Sequence, residues 1–190
     1  MEANVADWAE TLEALVRERG GALYGYAFVL TGDAHAADDL LQDALVRAFR
    51  SGRGTMPLDA AHAYVKRAMQ TALIDGHRRA SARPKRDDRE ADRVTPDPAT
   101  ASARRDALLA AVHALPPRER TCVVMRYFDG LNATQIAHEL DLQPGTVRRY
   151  LADGVAKLSH THSEFGLTPE DIDSTDDEVV VVVDVKEVWR

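Results

Sequence analysis

Residues 131–160 read LNATQIAHELDLQPGTVRRYLADGVAKLSH, and their periodicity decides the fold. Ile136 and Leu140 stand four apart, and Val147, Leu151, Val155 and Leu158 continue at helical spacing beyond a break. The pattern predicts two amphipathic helices with a short turn between them. Asn132 suits the N-cap of the first helix, and Pro144 suits the first turn of the second, where a missing N–H costs nothing. Small Ala137 permits close approach of the two helices, and Leu142 is placed to plug the turn. A helix-turn-helix of this kind offers its second helix to the major groove of DNA. At roughly 100° per residue, the face opposite Val147, Leu151 and Leu158 carries Gly145, Thr146, Arg149 and Asp153, with Arg148 on its flank. One arginine so placed can fork onto a guanine edge while its neighbour holds a phosphate. Many small bundles contain a helical hairpin that only packs a core, so the rest of the chain must decide between the two uses.

Charge first argues against DNA. The 190-residue chain has a net charge of −7. Residues 161–190 hold nine acidic and two basic side chains, which accounts for all of it; the preceding 160 residues carry 22 of each sign. Within them residues 76–93 are net +3 and residues 1–75 net −4. Local patches, not the total, decide contact with phosphate. An apolar content of 45% suffices for packed cores, and a 6% aromatic content with abundant alanine favours helices. No run approaches the about 18 apolar residues of a membrane span, and the N-terminus lacks a signal-peptide pattern, so the expected location is the cytoplasm. Cys122 is the only cysteine and lies in the apolar run CVVM, the setting of a buried small hydrophobe.

Upstream, Trp8, Leu12, Leu15, Val16, Leu23, Ala27 and Leu30 predict a helix over 7–30 interrupted at Gly20-Gly21, and Thr31-Gly32-Asp33 a turn. A second helix from about Ala34 to Arg50 has Ala37, Leu40, Leu41, Ala44, Leu45, Ala48 and Phe49 as its apolar stripe. Its other face shows Asp38, Asp39, Gln42, Asp43 and Arg47, either a solvated face or a docking surface for a basic partner. A basic loop over 51–57 leads to a third helix, about Leu58–Arg79, with Tyr64, Val65, Ala68, Leu73 and Ile74 inward. His77-Arg78-Arg79 at its end is a favourable place for cations even without DNA. Residues 80–103 have no periodic apolar face and read as a linker, first basic and then acidic. A second compact unit begins near Arg104: Leu108, Leu109, Val112 and Leu115 mark one helix, and Pro116-Pro117 opens another through Phe128, with Val123, Val124 and Tyr127 inside. Asp129-Gly130 then turns into the helix-turn-helix. After His162 come the acidic stretch 173–178 and five valines, Val179–Val183, a candidate β-strand that needs a partner because an unpaired one would aggregate.

The expected architecture is all-α: two small helical domains, a flexible linker and an acidic C-terminal extension with that strand. The boundaries are 1–80, 81–103, 104–162 and 163–190. The stretches LYGYAFVLTGDAHAADDLLQDALVRAFR (23–50), AYVKRAMQTALIDGHRR (63–79), ALPPRERTCVVMRYFDGLNATQIAHEL (114–140) and PGTVRRYLADGVAKL (144–158) resemble bacterial extracytoplasmic-function sigma factors of the sigma-70 family, the actinobacterial SigE-like branch among them. That short class has only sigma regions 2 and 4.

The resemblance implies a promoter-directing subunit without catalysis, metal or cofactor, whose partners are core RNA polymerase and promoter DNA, with an anti-sigma factor as a further candidate. It places the contact with the polymerase β′ clamp helices on Asp38, Asp39, Leu40, Gln42 and Asp43, and sets region 4 against the β flap. It places −10 recognition and melting on Arg53, Tyr64, Lys66, Arg67, Thr71, His77, Arg78 and Arg79, since opening DNA requires a pocket for an unstacked base and cations for the phosphates. The linker carboxylates Asp87, Asp88, Glu90 and Asp92 would mimic phosphates near the RNA exit channel. Gly145, Thr146, Arg148 and Arg149 would read the −35 element. The chain departs from the family pattern at Asp141, where the turn usually has Gly, at Gln143 in place of a Ser/Thr cap, at Thr71 in place of Asn, and at Arg149-Tyr150 in place of Ser-Arg. The competing reading is a stand-alone helix-turn-helix regulator, which would need no polymerase-docking helix. A metal site at His160, His162 and Glu164 is less favoured than a solvated helix end.

Overall fold

The computed structural model describes the backbone of residues 3–50, 56–81 and 101–161, and side chains over 8–50, 56–75 and 106–160. Within them the chain forms seven α-helices, α1 (Ala3–Thr31), α2 (Ala34–Phe49), α3 (Leu58–Ser81), α4 (Ala101–Ala114), α5 (Pro117–Tyr127), α6 (Ala133–Leu140) and α7 (Pro144–Thr161). They fall into two compact units, Met1–Gly76 and His77–Arg190. The predicted loop at Arg53, the linker carboxylates, the valine strand and His162 with Glu164 lie outside the described residues.

In the first unit α1 runs unbroken through Gly20-Gly21, against the predicted interruption. Two mid-helix glycines cost about 1 kcal/mol each relative to alanine. The buried Leu15 on one side and Leu23, Tyr26, Ala27, Val29 and Leu30 on the other hold the helix together across them. Gly32, at φ 78°, ends α1, its N–H bonding the Phe28 carbonyl at 2.8 Å. Asp33 then caps α2, its carboxylate accepting from the Ala36 N–H at 2.8 Å.

The apolar stripe of α2 is narrower than the spacing predicts. Ala37, Ala44 and Ala48 are buried, whereas Leu40, Leu41, Leu45 and Phe49 are half-buried. The alanines let α2 lie close on α1, which leaves the larger side chains on the shoulders of the contact. In α3 the buried line is Ala61, Val65 and Met69 with Gln70, and the predicted inward residues Tyr64, Ala68, Leu73 and Ile74 are only half-buried. Gln70 is a polar member of that line, and its amide donates to the Tyr26 hydroxyl at 2.6 Å inside the core.

The second unit is built around α5. Thr121 through Tyr127 are all buried, with Glu119, so this helix is enclosed nearly all round. The unsplit apolar character of CVVM follows from that enclosure. The helix α4 starts at Ala101, a little before the predicted Arg104, and buries Ala111 and Val112 while Leu108 and Leu109 are half-buried. The Arg120 guanidinium donates to the carbonyls of His113 and Leu115, pinning the α4–α5 turn, and its burial lowers its pKa. Gly130, at φ 70°, makes the turn into α6.

Candidate nucleic-acid and partner-binding interface

The helix-turn-helix is assembled from local bonds that the sequence announces. Asn132 and Gln135 form a reciprocal capping box, each side chain accepting from the other's backbone N–H at 2.9 and 2.8 Å. Asp141 takes the left-handed conformation (φ 52°, ψ 50°) that closes α6, so the turn forms without the glycine. Leu142 follows with its N–H on the Ala137 carbonyl at 2.9 Å, and its side chain is half-buried at the turn. The Gln143 carbonyl accepts from the N–H groups of Thr146 and Val147 and so starts α7 from the backbone.

Packing then fixes which way α7 faces. Val147, Leu151, Gly154, Val155 and Leu158 are buried. A Cβ at Gly154 would stand 2.9 Å from Val123 Cγ2 and 3.5 Å from Glu119 Cβ, so α7 approaches α5 as closely as a glycine allows. Lys157 closes the same contact, its ammonium 2.6 and 2.7 Å from the carboxylate oxygens of the nearly buried Glu119. The opposite side is left to solvent: Gly145, Arg148, Arg149 and Asp153 are exposed and Thr146 half-buried. All four predicted −35 residues therefore lie toward the open side of the N-terminal half of α7. A Cβ at Gly145 would meet nothing within 4 Å, so no packing inside the chain requires glycine there.

Beside this face lies a contact that helical spacing does not foretell. Arg118 of α5 donates from Nη1 to the Tyr150 hydroxyl at 2.9 Å, and the Arg149 guanidinium carbon lies 5.4 Å from the centre of the Tyr150 ring.

The predicted −10 residues are less gathered. Arg67 and Thr71 are exposed, and the Thr71 hydroxyl donates back to the Arg67 carbonyl at 2.9 Å. The half-buried Lys66 is turned toward α1, its ammonium 4.3 Å from the Tyr26 ring centre. Tyr64 is half-buried. His77, Arg78 and Arg79 belong to α3, but their side chains lie outside the described residues.

On α2 the carboxylates Asp38, Asp39 and Asp43 and the amide of Gln42 are exposed, while Leu40 is half-buried at their margin. Among the described residues none of the three carboxylates pairs with a cation. Cys122 is fully buried, and that burial pushes its thiol up to about 12, which makes it inert at neutral pH.

Comparison with known proteins places these two units. The family model for sigma-70 region 2 matches residues 15–83, and that for sigma-70 region 4 matches residues 105–158. The ECF RNA polymerase sigma factor SigL of Mycobacterium tuberculosis is 30% identical over 168 residues, covering 84% of this chain and 93% of the relative. The ECF RNA polymerase sigma factor SigE of Mycolicibacterium smegmatis is 31% identical over 164 residues, covering 83% and 62%. The RNA polymerase sigma-E factor of Streptomyces avermitilis is 30% identical over 146 residues, covering 77% and 82%. A stand-alone regulator would have no use for region 2, and the chain belongs to the extracytoplasmic-function family of RNA polymerase sigma factors, subunits that direct the core enzyme to promoters.

Proposed function

We propose that the three exposed faces divide the work of promoter recognition among themselves. The acidic face of α2, with Asp38, Asp39, Gln42 and Asp43 and with Leu40 at its margin, docks on the β′ clamp helices. The loop with Arg53 and the helix α3, through Tyr64, Lys66, Arg67, Thr71, His77, Arg78 and Arg79, engage the −10 element as it melts. Gly145, Thr146, Arg148 and Arg149 of α7 read the −35 element, and region 4 also meets the β flap. Bounds of 1–80 and 104–162 for the two domains suit this division. An anti-sigma factor is a natural further partner.

Sigma factors are non-enzymatic transcription initiation factors, and our finer reading is that this chain adds no catalysis of its own. No helix among the described residues is long and apolar enough to cross a membrane. We place the site of action in the cytoplasm, with the polymerase.

One observation carries the −35 assignment: α7 is anchored by Val147, Leu151, Gly154, Val155 and Leu158 while Arg148 and Arg149 stand exposed on its other side. Arg149 is set to reach a base edge and Arg148 to hold a phosphate. Promoter binding by the reconstituted holoenzyme, measured against salt, tests this. Arg149→Ala is expected to cost about 1–3 kcal/mol and relax preference at one −35 base pair, and Arg148→Ala to lower the salt slope by about one on every sequence. Equal weakening of all −35 sequences by both changes would overturn the base-reading role.

A further inference from the structure

We infer that Tyr150 is a positioning residue for −35 specificity: it holds the Arg149 guanidinium in reading position and is itself anchored by Arg118. The inference rests on Arg149 being the base reader and adds the means by which that arginine is kept in place.

An exposed arginine on a helix surface samples many rotamers, and each one frozen on binding DNA lowers the affinity. A guanidinium lying over an aromatic face within about 6 Å of its centre is held there by the ring quadrupole. The 5.4 Å separation of Arg149 from the Tyr150 ring meets that condition. A ring that swung freely would fix nothing, but this one is tethered. Its hydroxyl accepts from Arg118 at 2.9 Å, and Arg118 belongs to α5, the enclosed central helix of the unit. Arg118 and Tyr150 are both half-buried, which protects their bond from full solvent competition. The chain of contacts thus runs from the rigid core to the reading side chain: α5, Arg118, the Tyr150 hydroxyl, the Tyr150 ring, Arg149.

The test is a selection on full-length protein in holoenzyme, using linear promoter fragments with a randomised −35 element and sequencing of the bound fraction. Arg149→Ala should flatten base preference at one position. Tyr150→Leu, which removes the ring and keeps apolar bulk, should flatten the same position by about two- to fivefold, the size of an exposed cation–π contact. Arg118→Gln, which leaves α7 unaltered, should act at that position more weakly. Tyr150→Phe should recover part of what Tyr150→Leu loses, and Tyr150→Leu added to Arg149→Ala should cause no further loss.

If Arg149→Ala flattens a position that both Tyr150→Leu and Arg118→Gln leave sharp, the inference fails while the base-reading role stands. Preference lost at a different position would make Tyr150 a base contact itself. Uniform weakening with a lowered melting temperature would make it a packing residue. Both outcomes overturn the inference. If Arg149→Ala changes no position, the base-reading role fails first.

Discussion

The helices α2 and α7 each turn one face to a core and one to solvent, yet they are held in opposite ways. The buried line of α2 is three alanines, Ala37, Ala44 and Ala48, with leucines half-exposed on either side. The helix α7 sinks Val147, Leu151, Val155 and Leu158 and is clamped further by Gly154 against Val123 and by Lys157 on Glu119. The exposed carboxylates of α2 have no cation among the described residues, whereas Arg149 of α7 rests on a ring tied to α5. A surface that docks by charge tolerates loosely held side chains, because Coulomb attraction acts over several ångströms. A surface that reads hydrogen bonds on base edges requires a fixed register, since donor and acceptor must meet within a few tenths of an ångström. The difference in packing is the one the proposed difference in task calls for.

The two helices should differ most in how they respond to changes in their buried faces. Leu151→Ala should cost about 2–5 kcal/mol, the range for emptying a fully buried leucine site, and should remove −35 binding along with stability. A variant that melts normally would mean that α7 is not held by its apolar face. The first unit should be damaged by adding atoms instead. Ala44→Leu forces a larger side chain into a fully buried site on α2 and should cost about 1–3 kcal/mol, read as a lowered melting temperature.

Cys122 sharpens the picture of an enclosed α5. Its folded thiol titrates at about 12 against an ordinary 9.0, so the neutral form is favoured in the fold. The stability this represents is complete below pH 9.0 and is lost progressively as pH rises toward about 12. Thermal melts of wild type and Cys122→Ala should therefore converge as pH climbs through that window. A thiol reagent at neutral pH should label Cys122 only after unfolding. The smallest effect belongs to the turn: Asp141→Gly should raise stability by about 0.5–1 kcal/mol, because glycine adopts the left-handed conformation without the Cβ penalty that aspartate carries.

How far the sequence foretells these features depends on how local their causes are. The N-cap at Asn132, the turn at Asp129-Gly130, Pro144 at the start of α7 and the turn at Asp141 are decided by neighbours a few residues away, and all are legible; the reciprocal bond from Gln135 that completes the capping box is not part of that reading. The buried stripe of α2 is narrower than spacing predicts, because spacing cannot tell an alanine at the contact from a leucine on its shoulder. In α3 spacing finds Val65 but misses Gln70, which is polar and bonds within the core only through Tyr26, 44 positions earlier. Gly20-Gly21 suggests a break only until the burial on both sides is known. On the exposed face of α7, Arg148 and Arg149 are found by periodicity alone. Tyr150 looks like a bare departure from the family pattern until Arg118, 32 positions away in sequence, is seen to hold it. Lys157 and Glu119, 38 apart, stay hidden for the same reason.

In the proposed division of labour α2 serves the polymerase and α7 the −35 DNA. The most direct test is the affinity of purified core RNA polymerase for the full-length chain and for two double variants, each confirmed helical by circular dichroism. Asp39→Lys with Asp43→Lys should abolish binding, because it places cations where the docking face offers carboxylates. Arg148→Ala with Arg149→Ala should bind core polymerase as the wild type does. Unchanged core affinity in the charge-reversed variant would contradict the assignment of α2 and, with it, the division of labour between α2 and α7.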